Sequence, residues 1–255
     1  MNILFFIQII FELLPISSSA HITIICKLID DLYPLSFIED LFAHLPTAII
    51  QLFLVFYIFI LEQEISLKHK IKNIFNISVS VIPTAIIILL VKKLSKYIYI
   101  EIPIYYGLMI TSYLLFSLIK TRHKINIKES ISMKEGFLLG IFQGFAMIPG
   151  VSRFAVFLFS CKLMNFSHKY SFFLAMISNI VLSFGGLGYA FFNIYYLNTT
   201  YNLIWNINDT ILLIFSSIIA SFALFFTYNL YSRNKFIYFG IYEFLLSIYC
   251  YFKFY

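Results

Sequence analysis

The chain has 255 residues, of which 61% are hydrophobic, 20% aromatic and 12% charged. A soluble domain carries about a quarter charged residues, so this composition excludes one and places the chain in a membrane. The net charge of +6, from 18 basic and 12 acidic residues, is no nucleic-acid signature, because the Lys and Arg lie in short gaps between apolar runs, as in positive-inside patterning. Cys26, Cys161 and Cys250 are far apart, without the paired spacing of a zinc site or a disulfide framework.

In chain order, the first apolar stretch lacks a basic leader and is interrupted by Gln8, Glu12 and Pro15, so a cleaved secretory signal is not expected. Residues 2–29 read instead as two short helices broken around Pro15-Ile16-Ser17-Ser18-Ser19. Spans follow at about 43–62, 74–91 and 103–119. A second broken segment, 133–164, turns at Pro149-Gly150-Val151-Ser152-Arg153, and spans follow again at about 170–192, 210–231 and 236–254. Each span approaches the roughly 20 residues needed to cross a hydrocarbon core of about 30 Å, whereas the arms of the broken segments are too short. They read as re-entrant hairpins, tolerated at membrane depth only where their loose backbone is buried in protein or lines a cavity.

The basic gaps around Lys68 to Lys72, Lys120 to Lys128, Lys162 to Lys169 and Arg233-Lys235 fall on one face, the cytoplasmic one. Asp30, Asp31, Glu39, Asp40 and the loop 193–209 fall on the other. Lys92, Lys93 and Lys96 break this rule. Each half then reads as hairpin, span, span, span, and Pro15 and Pro149 stand at nearly the same offset as the three spans that follow them. The expected fold is an all-α integral membrane protein of two inverted-topology repeats, with six full transmembrane helices and two re-entrant helical hairpins. The repeats, 1–125 and 126–255, form one membrane domain, a plan that places a site at the hairpin tips.

Ionisable groups inside apolar segments are costly and mark functional positions. Glu12, His21 and Arg153 lie in or beside the two breaks, while Glu243 lies in the last span without an obvious partner and is left out of the site. Gln8 and Glu12, four apart, share a helix face and offer oxygen ligands to a hard cation, Mg²⁺ or Ca²⁺. Glu12 could equally serve only to pair with Arg153 or to cap backbone groups. Ser17 and Ser18 open the second helix of the first hairpin, where hydroxyls and free N–H groups make an anion seat. Arg153, with Ser152 and Gln143 nearby, could clamp a phosphate. His21, a turn beyond the serines, could act as nucleophile or general base, or be a hydrogen-bonded core histidine. His44, His69, His123 and His168 sit at span ends or in basic gaps and read as solvated or interfacial. Together the groups suit metal-assisted phosphoryl transfer.

At these residues the chain resembles the undecaprenyl-diphosphate phosphatase family, the bacitracin-resistance membrane phosphatases. Gln8 and Glu12 match its Glu/Gln-x-x-x-Glu motif, Pro15 to His21 resembles Pro-x-Ser-Ser-Thr-Gly-His, and Pro149 to Arg153 matches Pro-Gly-x-Ser-Arg. The resemblance implies a hydrolase that removes the terminal phosphate of C55 polyprenyl diphosphate. That reaction regenerates the monophosphate carrier for peptidoglycan and cell-wall synthesis, maintains cell shape and confers bacitracin resistance. It also implies a divalent cation held by Gln8 and Glu12, an inner-membrane multi-pass location, and a site reached from the outer leaflet. Glu12, Ser18, His21 and Arg153 would be catalytic, with Ser18 or His21 as nucleophile. Ser17, Gln143, Ser152 and Arg153 would bind the diphosphate. The partners are the bilayer and the polyprenyl diphosphate, with no nucleic acid; a homodimer is compatible with the chain, whose sequence fixes no oligomeric state.

The chain departs from the family where Ser-Arg-Ser-Gly-Ala-Thr becomes Ser152-Arg153-Phe154-Ala155-Val156-Phe157, and where Ser19-Ala20 replace Thr-Gly. Each lost hydrogen bond to a charged group costs roughly 1.5 to 3 kcal/mol, or about one to two decades of rate. Two other readings stand beside the enzyme: a transporter or flippase of polyprenyl phosphates or small molecules without hydrolysis, and a degenerate paralogue kept for lipid binding.

Overall fold

A computed structural model describes residues 3–29, 32–33, 35–61, 67–94, 102–119, 127–196 and 207–255. Among them the chain is helical throughout: α1 (Ile3–Phe11), α2 (Ser18–Leu28), α3 (Phe37–Leu61), α4 (Leu67–Ser78), α5 (Val81–Leu94), α6 (Ile104–Ile119), α7 (Met133–Gly144), a 3-10 turn (Phe145–Met147), α8 (Arg153–Leu163), α9 (His168–Tyr196), α10 (Ile207–Ser232) and α11 (Ile237–Phe254). A lone parallel bridge, Lys128 to Phe166, is the sole β pairing among the described residues. The segments Lys70–Val91, His168–Phe192 and Ile207–Ser232 are long and apolar enough to cross a membrane, and Phe42–Ile58 and Ile104–Ile119 are shorter apolar helices. The chain is therefore a multi-pass membrane protein. Asp30-Asp31, Lys96, the gap from Lys120 to Lys124, the boundary expected at 125/126 and most of the loop 193–209 lie outside the described residues.

The span expected at 74–91 lies within the segment Lys70–Val91 but is kinked. It breaks at Val79-Ser80 between α4 and α5, because Pro83 in the first turn of α5 has no N–H for the carbonyl of Val79. The Ile82 N–H closes onto that carbonyl instead, at 3.2 Å, and the Ser80 N–H closes onto Ile77 at 2.9 Å. The kink abuts α7, where Gly136 and Gly140 leave no room for a Cβ against the carbonyls of Asn76 and Ser80. Thr84 then donates to the Gly140 carbonyl at 2.8 Å.

Helices α1, α2, α7 and α8 have 9 to 12 residues, about 14 to 18 Å at 1.5 Å per residue, well short of a bilayer core. Each pair is joined through a proline, which ends the first helix, and each second helix starts on a serine cap. Ser17 Oγ accepts from the Ala20 N–H and Ser152 Oγ from the Ala155 N–H, both caps having extended backbone. The break frees backbone groups that the interior must satisfy. Thr227 of α10 supplies a donor to the Leu13 carbonyl at 3.2 Å.

The two capping serines are pinned in parallel fashion. Thr111 of α6 accepts from the Ser152 N–H and donates to the Gly150 carbonyl, each at 2.9 Å. Glu243 of α11 accepts from the Ser17 N–H at 3.2 Å. Glu243 is wholly buried, so the sequence-based expectation that it lacks a partner is corrected: its partner is the backbone of the first break. Helices α6 and α11, the two pinning elements, bond directly to each other through Ser112 to Gly240 O and Ser247 to Tyr105 O. At the second break, Gly150 has φ +91, a region open mainly to glycine, and Gly107 of α6 lies so close that a Cβ would strike the Pro149 carbonyl.

Thr111→Val keeps the shape but leaves the Ser152 N–H and Gly150 carbonyl buried without a partner, a cost of about 1 to 3 kcal/mol. Thermal unfolding in detergent should show a clear drop in midpoint for Val and little change for Ser. Equal midpoints for Val and wild type would remove Thr111 from its pinning role.

Candidate active site

Three helix ends and one helix flank meet at a cavity. The last turn of α1 supplies Gln8 and, just beyond it, Glu12, whose N–H still bonds the Gln8 carbonyl at 2.9 Å. The first turn of α2 supplies Ser17 and Ser18, and the first turn of α8 supplies Ser152 and Arg153. The flank belongs to α3, which brings Asp40 and His44. Glu12 is the centre: its side chain is 7% exposed, while Arg153 at 33% and Asp40 at 42% mark the open side.

The two oxygens of Glu12 are differently occupied. Oε2 accepts from Ser18 Oγ at 3.2 Å and from Gln8 Nε2 at 3.4 Å, and Gln8 Nε2 also donates to Ser18 Oγ at 3.2 Å. Oε1 faces two nitrogen-bearing side chains, the guanidinium of Arg153, with Nη2 at 3.8 Å, and the imidazole of His44, with Nδ1 at 3.3 Å. A carboxylate out of water needs such compensation, since burying a lone charge costs several kcal/mol. Ser18 beside a carboxylate is an activated-hydroxyl arrangement. The first turns of α2 and α8 and the guanidinium of Arg153 add N–H groups and positive charge for an anion.

The structure gathers Gln8, Glu12, Ser17, Ser18, Gln143, Ser152 and Arg153 around this one cavity. Their freedom differs. Ser17 and Ser152 spend their hydroxyls as caps, and Gln143 Oε1 accepts from Ser178 at 3.0 Å. His21 is not brought to the cavity. Its Nδ1 meets the Ser17 carbonyl at 2.6 Å, its Nε2 meets the Tyr242 hydroxyl at 2.8 Å, and its ring stacks on Tyr242. The side chain braces α2 against α11, and both ring nitrogens are engaged there.

The imidazole at the carboxylate is that of His44, which the sequence places among solvated or interfacial histidines. The structure buries it, with Nε2 4.0 Å from Asp40. The i, i+4 spacing of Asp40 and His44 was the available signal, but only the approach of α3 to α1 gives it meaning. Phe154 and Phe157, standing where the resembled signature has small or hydroxyl residues, form apolar wall: both are buried, and Phe154 packs edge-on against Phe172.

A family model described as Bacitracin resistance protein BacA matches residues 1–249. An undecaprenyl-diphosphatase of Borrelia recurrentis (strain A1) is 32% identical over 254 residues, covering 94% of this chain and 92% of that protein. One from Borreliella burgdorferi (strain ZS7) is 30% identical over 263 residues, covering 98% and 96%. One from Campylobacter jejuni (serotype O:2, strain NCTC 11168) is 32% identical over 162 residues, covering 58% and 57%. The match takes in both broken helix pairs and every helix between them, and the chain belongs to the BacA bacitracin resistance protein family.

Proposed function

We propose that this chain is an undecaprenyl-diphosphate phosphatase, which hydrolyses the terminal phosphate of C55 polyprenyl diphosphate and returns the monophosphate carrier to cell-wall synthesis. The observation that carries the reading is Ser18 Oγ bonded to Glu12 Oε2 in a cavity with Arg153 at its mouth. A phosphate carrier needs the arginine but not a hydroxyl set against a carboxylate. Family membership and relatives named undecaprenyl-diphosphatase support the same reading.

In the proposed reaction Arg153 holds the terminal phosphate through its two-pronged guanidinium, supported by the α8 N-terminus that Ser152 caps. Ser18 Oγ attacks the terminal phosphorus as its proton passes to Glu12 Oε2. The bridging P–O bond breaks, and the polyprenyl monophosphate leaves with the bond's electron pair. Glu12 passes that proton to the departing monophosphate and is again a base; water, deprotonated by it, then attacks the phosphoserine phosphorus, and the P–Oγ bond breaks as Ser18 Oγ takes the proton back and phosphate leaves. His21, engaged on both nitrogens, keeps α2 in place in this scheme; Ser18 is the nucleophile.

The residues fit a hard divalent cation. Gln8 Oε1 is buried without a hydrogen-bond partner among the described residues, and one helical turn away Glu12 offers carboxylate oxygen. No cluster of three His, Cys, Asp or Glu ligands occurs among the described residues, so Gln8 and Glu12 would hold Mg²⁺ or Ca²⁺ together with water and phosphate oxygens. Bound there, the ion supplies charge neutralisation to the phosphate.

The same reading takes the chain as one inner-membrane domain of two inverted repeats, 1–125 and 126–255, each a re-entrant hairpin and three spans, with the site open to the outer leaflet. Its support is the paired pinning of the two breaks: the third span of each half, α6 or α11, holds the capping serine of the other half's hairpin.

Phosphate release from C55 diphosphate by the purified protein in detergent should require Mg²⁺ or Ca²⁺ and stop in EDTA. Arg153→Ala should lower release by about 10² to 10³, the usual effect of deleting one charge-stabilising donor. Arg153→Lys should recover only part of it, because a lysine lacks the fork. Tight binding of the lipid with no phosphate released, by wild type, would replace the enzyme with a carrier and assign Phe154 and Phe157 to the loss of catalysis.

A further inference from the structure

On the reading of the site as a phosphatase, the carboxylate has a division of labour that needs an anchor. Glu12 Oε2 must stay on Ser18, but a carboxyl group turns easily about its last bond, whose torsional profile is broad and roughly two-fold. Rotation is resisted at Oε1, where Arg153 and His44 stand. Arg153 is the looser and more exposed of the two, and it is the group that turns to the phosphate when substrate arrives. The hold on Oε1 then falls to His44 alone.

We infer that His44 is a positioning residue for phosphoryl transfer, its Nδ1–H fixing Glu12 Oε1 so that Oε2 stays on the Ser18 hydroxyl. Three observations carry this. Nδ1 lies 3.3 Å from Oε1. It is buried and makes no hydrogen bond among the described residues, so its donor capacity is unspent beside the carboxylate. The opposite nitrogen, Nε2, faces the Asp40 carboxylate only at 4.0 Å, beyond hydrogen-bond reach, so Glu12 Oε1 is the closer of the two carboxylate acceptors. Two other amide donors lining the cavity are already engaged: Gln8 Nε2 on Glu12 and Ser18, and Asn179 Nδ2 on Gln51 Oε1 at 2.9 Å. The backbone that carries His44 is itself held, since Thr47 Oγ1 donates to the His44 carbonyl at 2.8 Å. His44 thus supplies the imidazole of the site, while His21 serves the helix behind it.

The two ring nitrogens can be tested separately, because an Asn amide nitrogen falls near the place of Nδ1 and a Gln amide nitrogen near that of Nε2. With C55 diphosphate, His44→Ala should lower kcat by about 10- to 100-fold, in line with the loss expected when a reacting group is misplaced by about 1 Å, and leave KM within about threefold because Arg153 is untouched. His44→Asn should recover kcat to within about threefold of wild type, and His44→Gln should stay near Ala. Full kcat in Ala, equal recovery by Gln and Asn, or a change in KM alone would overturn the inference, since a space-filling or substrate-binding role predicts those results. A second readout needs no turnover: the rate at which a fluorophosphonate labels Ser18, followed by mass spectrometry. Wild type and Asn should label faster than Gln and Ala. That ranking in a protein releasing no phosphate would sustain the positioning role and reject the phosphatase reading; equal labelling in all four would reject the positioning role, whatever the phosphate assay gives.

Discussion

One buried carboxylate organises this molecule. Glu12 lies at the end of a nine-residue apolar helix, where water cannot solvate it, and an unpaired charge there would be prohibitively costly. Its compensation comes from four directions: Gln8 of its own helix, Ser18 of the next, Arg153 from the second half of the chain and His44 from α3. No two neighbouring segments could provide all of these. The broken helices, their serine caps and the flank of α3 must therefore meet at one point, and the rest of the fold holds them to it.

Breaking a helix exposes backbone groups, and the chain settles these in particular ways. Prolines at 15 and 149 end the first helix of each pair, serines at 17 and 152 begin the second, and side chains from elsewhere take up what is left over: Thr227 on the Leu13 carbonyl, Thr111 on both sides of Gly150-Ser152, Glu243 on the Ser17 N–H. The two pinning residues differ in chemistry but not in task. A threonine hydroxyl serves at α8, whose first residue is Arg153, whereas at α2, which opens on serines, the acceptor is a glutamate carboxyl oxygen. The same N-termini that need these partners direct positive potential into the cavity, so the device that makes the break tolerable also favours an anion there.

Phe154 and Phe157 show how far a wall can change while the centre stays. Both face the cavity from α8, yet both are buried by neighbours, Phe154 against Phe172. They substitute apolar surface for two hydroxyl positions of the resembled signature on the wall of the cavity that holds Glu12, Ser18 and Arg153. On the proposed reading, phosphate relies here on the guanidinium and the helix termini more than on hydroxyl donors from the next turn of α8.

Much of this was legible in the sequence, for identifiable reasons. Composition and apolar segment length fix a helical membrane protein, because in a bilayer each backbone group must bond within its own segment. Proline followed by serine in mid-segment marks both breaks, and the rarity of charge in such segments singles out Glu12 and Arg153. What the sequence could not decide were choices made by approach between distant elements. The kink at Val79-Ser80 was hidden inside a segment of spanning length, where Pro83 was the local hint. His21 and His44 were indistinguishable in kind, each an imidazole near a helix end; packing turned the first toward Tyr242 and brought the second to Glu12. Glu243 was unreadable for the same cause, since its partner is a backbone N–H more than two hundred residues away. Local periodicity and charge determine which groups are too costly to be idle, and tertiary packing alone decides which of them meet.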